Sequence, residues 1–313
     1  MTGFVSQFVS YSQYRIRTSE GDDLLDIYTV GDELLHVGGP DGCTGFTGVH
    51  TGEVDTRVVV HASEPPPDDD WDTASETTLW CPDGRITIEG LMGEADGPLT
   101  DLPAPAKSLI RVRVTARNRI HESIREPTDP AEQHEVHVWP VAEETAPVTL
   151  WSDGWGPAWT SRPDRAAAWA VLRLLDEARR RVPDDGVRVT VVRTVPGPVR
   201  LPATVPAGDL AIRLRPSAGA GTLTWEWTPA DRPIFPEPLT ALPDGRASAV
   251  HLLRNPDGTL TVRHAGVPGR QAVLVGLIWD HLLAPGAGGG VPVGGDAAGR
   301  GGGADPHRPE EPA

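Results

Sequence analysis

Apolar and polar residues alternate along most of the first half of the chain. The alternating apolar positions are Tyr14 and Ile16, Val58 and Val60, Ile86 and Ile88, Ile110, Val112, Val114 and Ala116, and Val136 and Val138. A period of two residues is typical of half-buried antiparallel strands. Turn sequences such as Gly39-Pro-Asp-Gly42 and Cys81-Pro-Asp-Gly84 separate these segments. About six to eight strands over roughly 140 residues predict a β-sandwich.

The pattern changes in the second half, where apolar residues recur with helical spacing at two places. Ser161-Arg-Pro-Asp164 is typical of a helix start, and Pro183 would stop that helix. A second helix, apolar on nearly all sides, is predicted at Gln271–Leu283. Between the helices the sequence predicts strands at Val187–Val195, Leu210–Arg215, Leu223–Trp227, Ala249–Arg254 and Thr259–His264.

These elements predict two domains of different class. Residues 1–141 are expected to form an acidic all-β sandwich. Residues 149–285 are expected to form an α+β domain, an antiparallel sheet with two helices packed on it, and residues 142–148 would be the linker. Residues 286–313 hold ten Gly and little apolar surface, so a disordered tail is predicted there.

Charge is divided unevenly between the two predicted domains. Residues 1–148 hold 27 acidic against 10 basic residues, whereas residues 149–285 hold 13 against 16. A surface as negative as that of the first half repels nucleic acid and anionic membranes, and it attracts basic protein surfaces. We therefore expect a basic protein partner, with neither nucleic acid nor a membrane as ligand.

Cysteine usage and the N-terminal sequence indicate the compartment. Cys43 and Cys81 are the only cysteines and lie in no metal-binding spacing, so two reduced thiols are expected. The N-terminal segment lacks the features of a signal peptide, and the apolar stretch Ala272–Trp279 is far shorter than the ~20 residues of a membrane span. A cytoplasmic protein is expected. The single lysine, Lys107, beside 27 Arg suggests a bacterium with high GC content.

Several segments of the first half, in order, resemble the competence protein J family, the inhibitors of the DNA-entry nuclease. They are Tyr11-Ser-Gln-Tyr14, Gly84-Arg-Ile-Thr-Ile-Glu-Gly-Leu-Met92, Asp101-Leu-Pro103, the strand Leu109–Val114 and the strand His134–Trp139. The resemblance covers about 130 residues and implies a non-catalytic β-sandwich that binds a protein. Residues 149–313 resemble no family that we know.

The densest acidic cluster follows a run of three prolines, Pro65–Pro67. It consists of Asp68, Asp69, Asp70 and Asp72, with Trp71 among them. One interpretation is a solvated loop. Another is a protein-binding patch that presents four carboxylates and one aromatic ring to a basic surface. These four aspartates are our candidate binding residues.

A calcium site is the third interpretation of this cluster. Asp68, Asp70 and Asp72 alternate as the first ligands of a calcium-binding loop do. However, Thr73 replaces the glycine of that motif, and Leu79 stands where the bidentate glutamate is required. We predict no metal site here and no cofactor for the chain.

Four arginines stand at odd-numbered positions of one predicted strand and its continuation, on the face opposite to the apolar residues. They are Arg111, Arg113, Arg117 and Arg119. Glu89 and Glu135 have the same outward parity on other strands. We expect cross-strand ion pairs on a solvated face, with an anion-binding groove as the alternative.

Histidine and tryptophan motifs also have alternative interpretations. His134 and His137 resemble a shortened zinc motif, but on a strand residues three apart point to opposite faces, so a shared metal is not expected. Trp151, Trp155 and Trp159 surround Gly and Pro and would pack at the domain junction or form an exposed ligand platform.

No nucleophile motif, phosphate-binding loop or dinucleotide-binding motif occurs in the chain, so the sequence favours a protein that is not an enzyme. The main hypothesis is a protein-binding inhibitor or immunity-type antitoxin. The alternatives are a structural adaptor and an enzyme of unrecognised type in the second domain, with the sandwich as targeting module. The residues to inspect for the enzyme alternative are Asp153, Asp209, Glu226, His251 and His264.

Overall fold

The computed structural model describes residues 3–19, 30–31, 34–39, 42–91, 97–120, 129–155, 186–197, 199–201, 204–207, 210–217, 221–229, 248–283 and 291–292. Strands dominate these residues, and the one α-helix among them lies at 272–283. The helix predicted between Ser161 and Pro183 lies outside the described residues. In the described ranges we find no helix with the length and apolar character needed to cross a membrane.

The first sheet has twelve strands, and eleven of them precede residue 142. These are β1 (Val5–Ser10), β2 (Gln13–Arg17), β3 (Val30–Gly31), β4 (Leu35–Gly39), β5 (Gly42–Phe46), β6 (Thr51–Val60), β7 (Thr73–Cys81), β8 (Arg85–Gly90), β9 (Leu102–Pro103), β10 (Ser108–Arg117) and β11 (Gln133–Val141). Two short strands follow: β12 (Glu143–Thr145) joins the second sheet, and β13 (Val148–Trp151) completes the first.

Strand order explains why the first sheet curls. The strands follow the order β13-β7-β10-β11-β6-β1-β2-β5-β4-β3, with β8 paired to β2 and β9. The hairpin between β1 and β2 turns at Tyr11 and Ser12, which both have positive φ, as a two-residue hairpin turn requires. Beyond this turn β2 leaves β1 and pairs with β5 on one edge and with β8 on the other. The all-β character predicted for residues 1–141 is confirmed for those of them that the structure describes.

The alternating apolar residues line the inner face of the curled sheet. The β10 residues Ile110, Val112, Val114 and Ala116 and the β11 residues Val136 and Val138 are completely buried. The prediction fails at the end of β6. There Val60 is 41% exposed, whereas its neighbour Val59 is buried.

The second sheet is built from β12 and six later strands in the order β12-β14-β20-β19-β18-β17-β16. In chain order, the strands that follow β13 are β14 (Arg188–Pro196), β15 (Arg200–Leu201), β16 (Thr204–Ala207), β17 (Leu210–Pro216), β18 (Thr222–Pro229), β19 (Ser248–Arg254) and β20 (Thr259–Pro268), and all of these except β15 belong to the second sheet. β15 belongs to a separate two-stranded sheet with β21 (Val291–Pro292), which lies in the segment predicted to be a disordered tail.

One α-helix, α1 (Ala272–Leu283), packs against the second sheet after a 3-10 turn at Gly269–Gln271. Its apolar residues are buried together with Trp225 and Val250 of the sheet. The predicted strands from Val187 onward and the predicted final helix are therefore confirmed within two residues at their ends, except that β20 continues four residues further than predicted. The two-domain boundaries themselves remain a prediction.

Residues predicted to form a linker, 142–148, participate in both sheets. β12 pairs parallel with β14 of the second sheet, and β13 pairs antiparallel with β7 of the first. The two sheets also share apolar core, because Trp80 and Leu109 of the first sheet lie in the same buried cluster as the helix. Gly269 packs on the Trp80 ring so closely that a Cβ there would lie 2.5 Å from it.

A buried ion cluster lies under α1. Arg193 on β14 donates to Glu144 of β12 at 2.6 and 2.9 Å, and to Asp280 of the helix at 2.6 and 3.0 Å. Burial acts against the charged guanidinium, but the two carboxylates outweigh it and raise the pKa of Arg193. Gly276 of α1 faces this cluster, and a Cβ there would lie 2.4 Å from Arg193 Nη2.

Gly276→Ala is expected to lower the free energy of unfolding by about 1–3 kcal/mol, because the new methyl group overlaps the ion cluster. In an open helix the same change would stabilise by about 1 kcal/mol, so the sign of the effect is diagnostic. Denaturant unfolding measures it, with Gly3→Ala as the control, since no atom lies within 4 Å of a Cβ at Gly3. A stabilised Gly276→Ala protein would contradict this packing.

Candidate functional site

The outer face of the first sheet carries ionic side chains where it was predicted to be solvated. Arg111 and Arg113 are 6% and 2% exposed, and both donate through Nε to Glu76 on the neighbouring strand, at 3.0 and 2.6 Å. Arg119 is also buried, and Arg117 donates to Gln133. The outward parity was correctly predicted, but the expected exposure was wrong.

The expected cross-strand ion pairs are present, but Glu89 and Glu135 pair with arginines other than these four. Glu89 pairs with Arg17 at 2.9 Å, and Glu135 pairs with Arg57 at 2.5 Å. Parity places a side chain on a face, but the partner depends on strand order. β7 and β6 flank the β10–β11 pair, and this order brings Glu76 next to both buried arginines.

The segment between β6 and β7 covers part of this face. Arg113 Nη1 donates to the carbonyl oxygens of Pro65 and Pro66 at 3.1 and 3.2 Å, and its guanidinium lies 5.0 Å above the Trp139 ring. At the other end of the segment, Trp71 is buried, with the Arg117 guanidinium 4.8 Å above its ring. Both ends of the segment are thus attached to the sheet.

The four candidate aspartates lie between and beside these attachments. Asp68, Asp69, Asp70 and Asp72 are all exposed. One carboxylate oxygen from each of the first three lies within 4.8 Å of the others. Asp68 Oδ1 accepts a hydrogen bond from the backbone N–H of Asp70 at 3.2 Å. Asp72 Oδ2 accepts one from the backbone N–H of Asn118 at 2.8 Å. We call Asp68–Asp70 the acidic loop. Trp71 is not presented with the carboxylates, because its ring points into the sheet.

The two histidines of the shortened zinc motif point to opposite faces, as the period of a strand predicts. His134 is fully buried between Tyr14 Oη, 3.1 Å from Nδ1, and Glu132 Oε1, 2.9 Å from Nε2. Burial acts to raise the pKa of Glu132, but hydrogen bonds from His134 and from the Gly48 and Val49 amides outweigh it and hold that pKa below its usual range. The sequence did not predict this buried polar network, because its members come from distant segments.

The described tryptophans of the aromatic motif pack against the first sheet. Trp151 Nε1 donates to the Trp71 carbonyl at 2.8 Å, and the Trp155 ring lies 4.5 Å below the Arg119 guanidinium. Trp159 lies outside the described residues. These two rings therefore favour the packed interpretation over the exposed ligand platform.

The residues proposed for an enzyme in the second half do not converge. Asp153 pairs with Arg119 of the first half at 3.3 Å, and Glu226 pairs with the exposed Arg215 at 3.4 Å. His251 is exposed on the face opposite the buried His264. Asp209 lies outside the described residues.

His264 forms a contact with Ser248 that resembles a nucleophile–base pair, at 2.6 Å from Oγ to Nε2. Trp279 Nε1 donates to His264 Nδ1 at 3.2 Å, and this bond requires the lone pair to be on Nδ1. The ring proton then lies on Nε2 and is donated to Ser248, so His264 cannot accept the serine proton. The geometry is therefore that of a buried structural histidine.

Both cysteines are buried free thiols, as expected for a reduced chain. Burial raises the pKa of each thiol, so neither has the thiolate character of a reactive cysteine.

No family model matches the chain. None of the curated proteins is similar to it at a significant level. Its fold resembles the crystal structure of ComJ, inhibitor of the DNA degrading activity of NucA, from Bacillus subtilis, at 12% identity, with 45% of this chain and 98% of that chain covered and a TM-score of 0.30. It also resembles a protein described as crocagin biosynthetic gene J, at 13% identity over 44% of this chain and 96% of that chain, with a TM-score of 0.29. These are distant likenesses of fold alone.

His264 is expected to make stability depend on pH. Burial lowers its pKa from 6.5 to about 3. Between these values the unfolded state binds a proton that the folded state does not, so stability falls as pH falls below 6.5. The loss is about 2 kcal/mol between pH 6.5 and 5.

Comparing wild type with His264→Gln by denaturant unfolding at several pH values tests this expectation. The variant should lose less stability on acidification than wild type, while the exposed-residue control His251→Gln should follow wild type. Identical slopes for His264→Gln and wild type would show that His264 is accessible to protons in the folded protein.

Proposed function

We propose that the chain is a non-catalytic protein-binding protein of the inhibitor or immunity type, whose acidic first half docks on a basic protein such as a nuclease. The observation that carries the proposal is the acidic loop. Its carboxylates are exposed, while the backbone on its N-terminal side is bonded to the buried Arg113.

The arrangement of charge supports a basic partner. Fixed carboxylates that lie within 4.8 Å of one another repel and produce a concentrated negative potential. The surrounding basic residues do not cancel it, because Arg111 and Arg113 are directed to Glu76 and are buried. Charge complementarity of this kind accelerates encounter and determines which partner is accepted.

Attachment of the loop supports a role in affinity. A flexible acidic segment would lose conformational entropy on docking, about 0.5–1.5 kcal/mol for each immobilised side chain. Here Pro65 and Pro66 are fixed by Arg113, and Trp71 is buried immediately after the acidic loop. Much of the ordering cost is therefore met during folding, before the partner arrives.

The described residues give less support to the alternatives. The enzyme alternative needs convergent ionisable groups, and those proposed from the sequence lie on different faces. The adaptor alternative needs an exposed apolar patch in the second half. Among the described residues there, the exposed large hydrophobic side chains are Leu150 and Leu253, and they lie on different sheets.

Replacing Asp68, Asp69 and Asp70 together by Asn tests the proposal, and Asp72 is left unchanged because it binds the Asn118 amide. Partners captured by the immobilised chain are identified and purified, and association is then measured between about 0.05 and 0.5 M salt. The triple variant should associate roughly tenfold more slowly at low salt, with a flatter salt dependence and an unchanged thermal transition.

A second triple variant removes the same formal charge elsewhere on the first half: Glu53→Gln, Asp83→Asn and Asp101→Asn. All three residues are exposed. It should retain most of the association rate if the acidic loop is the contact. Equal slowing in both variants would indicate a diffuse field, and an unchanged rate in the first would remove the acidic loop from the interface.

A further inference from the structure

Two histidine rings face each other where the Pro65–Pro67 segment leaves the first sheet. His61 directly follows β6, and its amide donates to the Val138 carbonyl of β11 at 2.7 Å. Its Nε2 lies 2.9 Å from Nδ1 of His137. The ring planes differ by only 20°, and the ring centroids are 5.2 Å apart. This separation is about the N–N distance plus the distance from each nitrogen to its own ring centre, so the rings meet end to end and are not stacked face to face. Each facing nitrogen therefore has its in-plane orbital directed at the other ring.

The carboxylate of Glu135 lies near the His137 ring and favours one of its tautomers by charge alone, since the contact is longer than a hydrogen bond. Glu135 Oε1 lies 3.6 Å from His137 Nε2, and the other carboxylate oxygen is held by Arg57 at 2.5 Å. A carboxylate beside Nε2 favours a proton on that nitrogen, which leaves the lone pair of Nδ1 directed at His61. Histidines that bind metals commonly have such a carboxylate behind the ring.

We propose that His61 Nε2 and His137 Nδ1 together bind one divalent transition-metal ion, of the class of Cu²⁺, Ni²⁺ or Zn²⁺, in place of the proton that they share. On binding, His61 carries its N–H on Nδ1 while His137 keeps its N–H on Nε2. Both rings then remain neutral, and two lone pairs face the ion. Imidazole nitrogen suits these metals, whereas Ca²⁺ and Mg²⁺ prefer oxygen ligands.

The distance between the rings is close to what coordination requires. Two metal–nitrogen bonds of 2.0–2.1 Å at a tetrahedral angle place the nitrogens roughly 3.3 Å apart. The nitrogens have to separate by about 0.4 Å, and the rings have to turn by roughly 70° relative to each other so that both lone pairs point at the ion. His61 lies beyond the end of its strand and is partly exposed, so it can move without disturbing the sheet. Two coordination positions remain for water or an incoming ligand.

The surroundings keep the two rings available to a cation. The nearest arginines are compensated by carboxylates: Arg57 pairs with Glu135, and Arg113 pairs with Glu64 as well as with Glu76, which it shares with Arg111. A cation that approaches the two rings therefore meets little repulsion from these side chains.

Titration of the untagged, EDTA-treated chain with Cu²⁺ tests the site, with electron paramagnetic resonance as one readout and calorimetry with Zn²⁺ as another. One equivalent of Cu²⁺ should bind with a spectrum that shows two imidazole nitrogens. His61→Gln should weaken binding at least tenfold and remove one of these nitrogens. This substitution keeps a donor for His137 Nδ1, and thermal unfolding in EDTA checks that the fold is intact.

Three further variants complete the test. Glu135→Gln should weaken binding roughly tenfold by releasing the orientation of His137. His50→Gln and His251→Gln change exposed histidines elsewhere and should bind as wild type does. Absence of binding by wild type, full binding by His61→Gln, or equal weakening in the His50 and His251 controls would each overturn the proposal.

Discussion

Arg111 and Arg193 bind β12 and the residue after it from opposite sides, at the point where the chain connects the two sheets. Arg111 donates to Thr145 Oγ1 at 3.0 Å and to the Ala146 carbonyl at 3.2 Å, while Arg193 binds Glu144 with two hydrogen bonds. Each guanidinium is buried, so loss of its carboxylate partners, Glu76 for Arg111 and Glu144 with Asp280 for Arg193, would leave an uncompensated charge, which typically costs about 3–5 kcal/mol. The path of the chain from the first sheet into the second therefore depends on these two arginines.

Apolar contacts act at the same place. Trp80 of the first sheet packs on Gly269, just before α1, and belongs to the same buried cluster as the helix. Apolar and polar contacts thus act together at the junction. The Trp80 contact removes apolar surface from water, and the directional hydrogen bonds of the buried ion pairs restrict how the elements are oriented. Gly276 completes the arrangement, since a larger residue would separate α1 from the Arg193 cluster.

Burial of charge on the outer face of the first sheet has a consequence for the acidic loop. A buried guanidinium needs acceptors, and Arg113 obtains two of them from the carbonyls of Pro65 and Pro66. The same bonds hold the loop backbone above the sheet, with its three carboxylates outward. The end-to-end pair of His61 and His137 lies at the start of the same segment. Arg113 therefore binds the backbone between this histidine pair and the acidic loop.

Local patterns determined much of the fold. Period two over β10 and β11, the turn at Asn255-Pro-Asp-Gly258 between β19 and β20, and the apolar run of α1 are properties of consecutive residues. Secondary structure responds directly to such patterns, because side-chain direction repeats every two or 3.6 residues. The parity of Arg111 and Arg113 and the opposite faces of His134 and His137 followed for the same reason.

Only the tertiary structure decided what covers each face and which residues meet across strands. The outward arginines are buried because a proline-rich segment and the strand β12 lie over them, and neither contact is local in sequence. Likewise, His134 on β11 meets Tyr14 on β2 only because the sheet curls, and His61 meets His137 only because strand order places β6 beside β11. The sequence by itself determined where the charge lies and which strands form. Which charges are buried, and which remain for a partner, depends on long-range packing, because burial depends on neighbours distant in the chain.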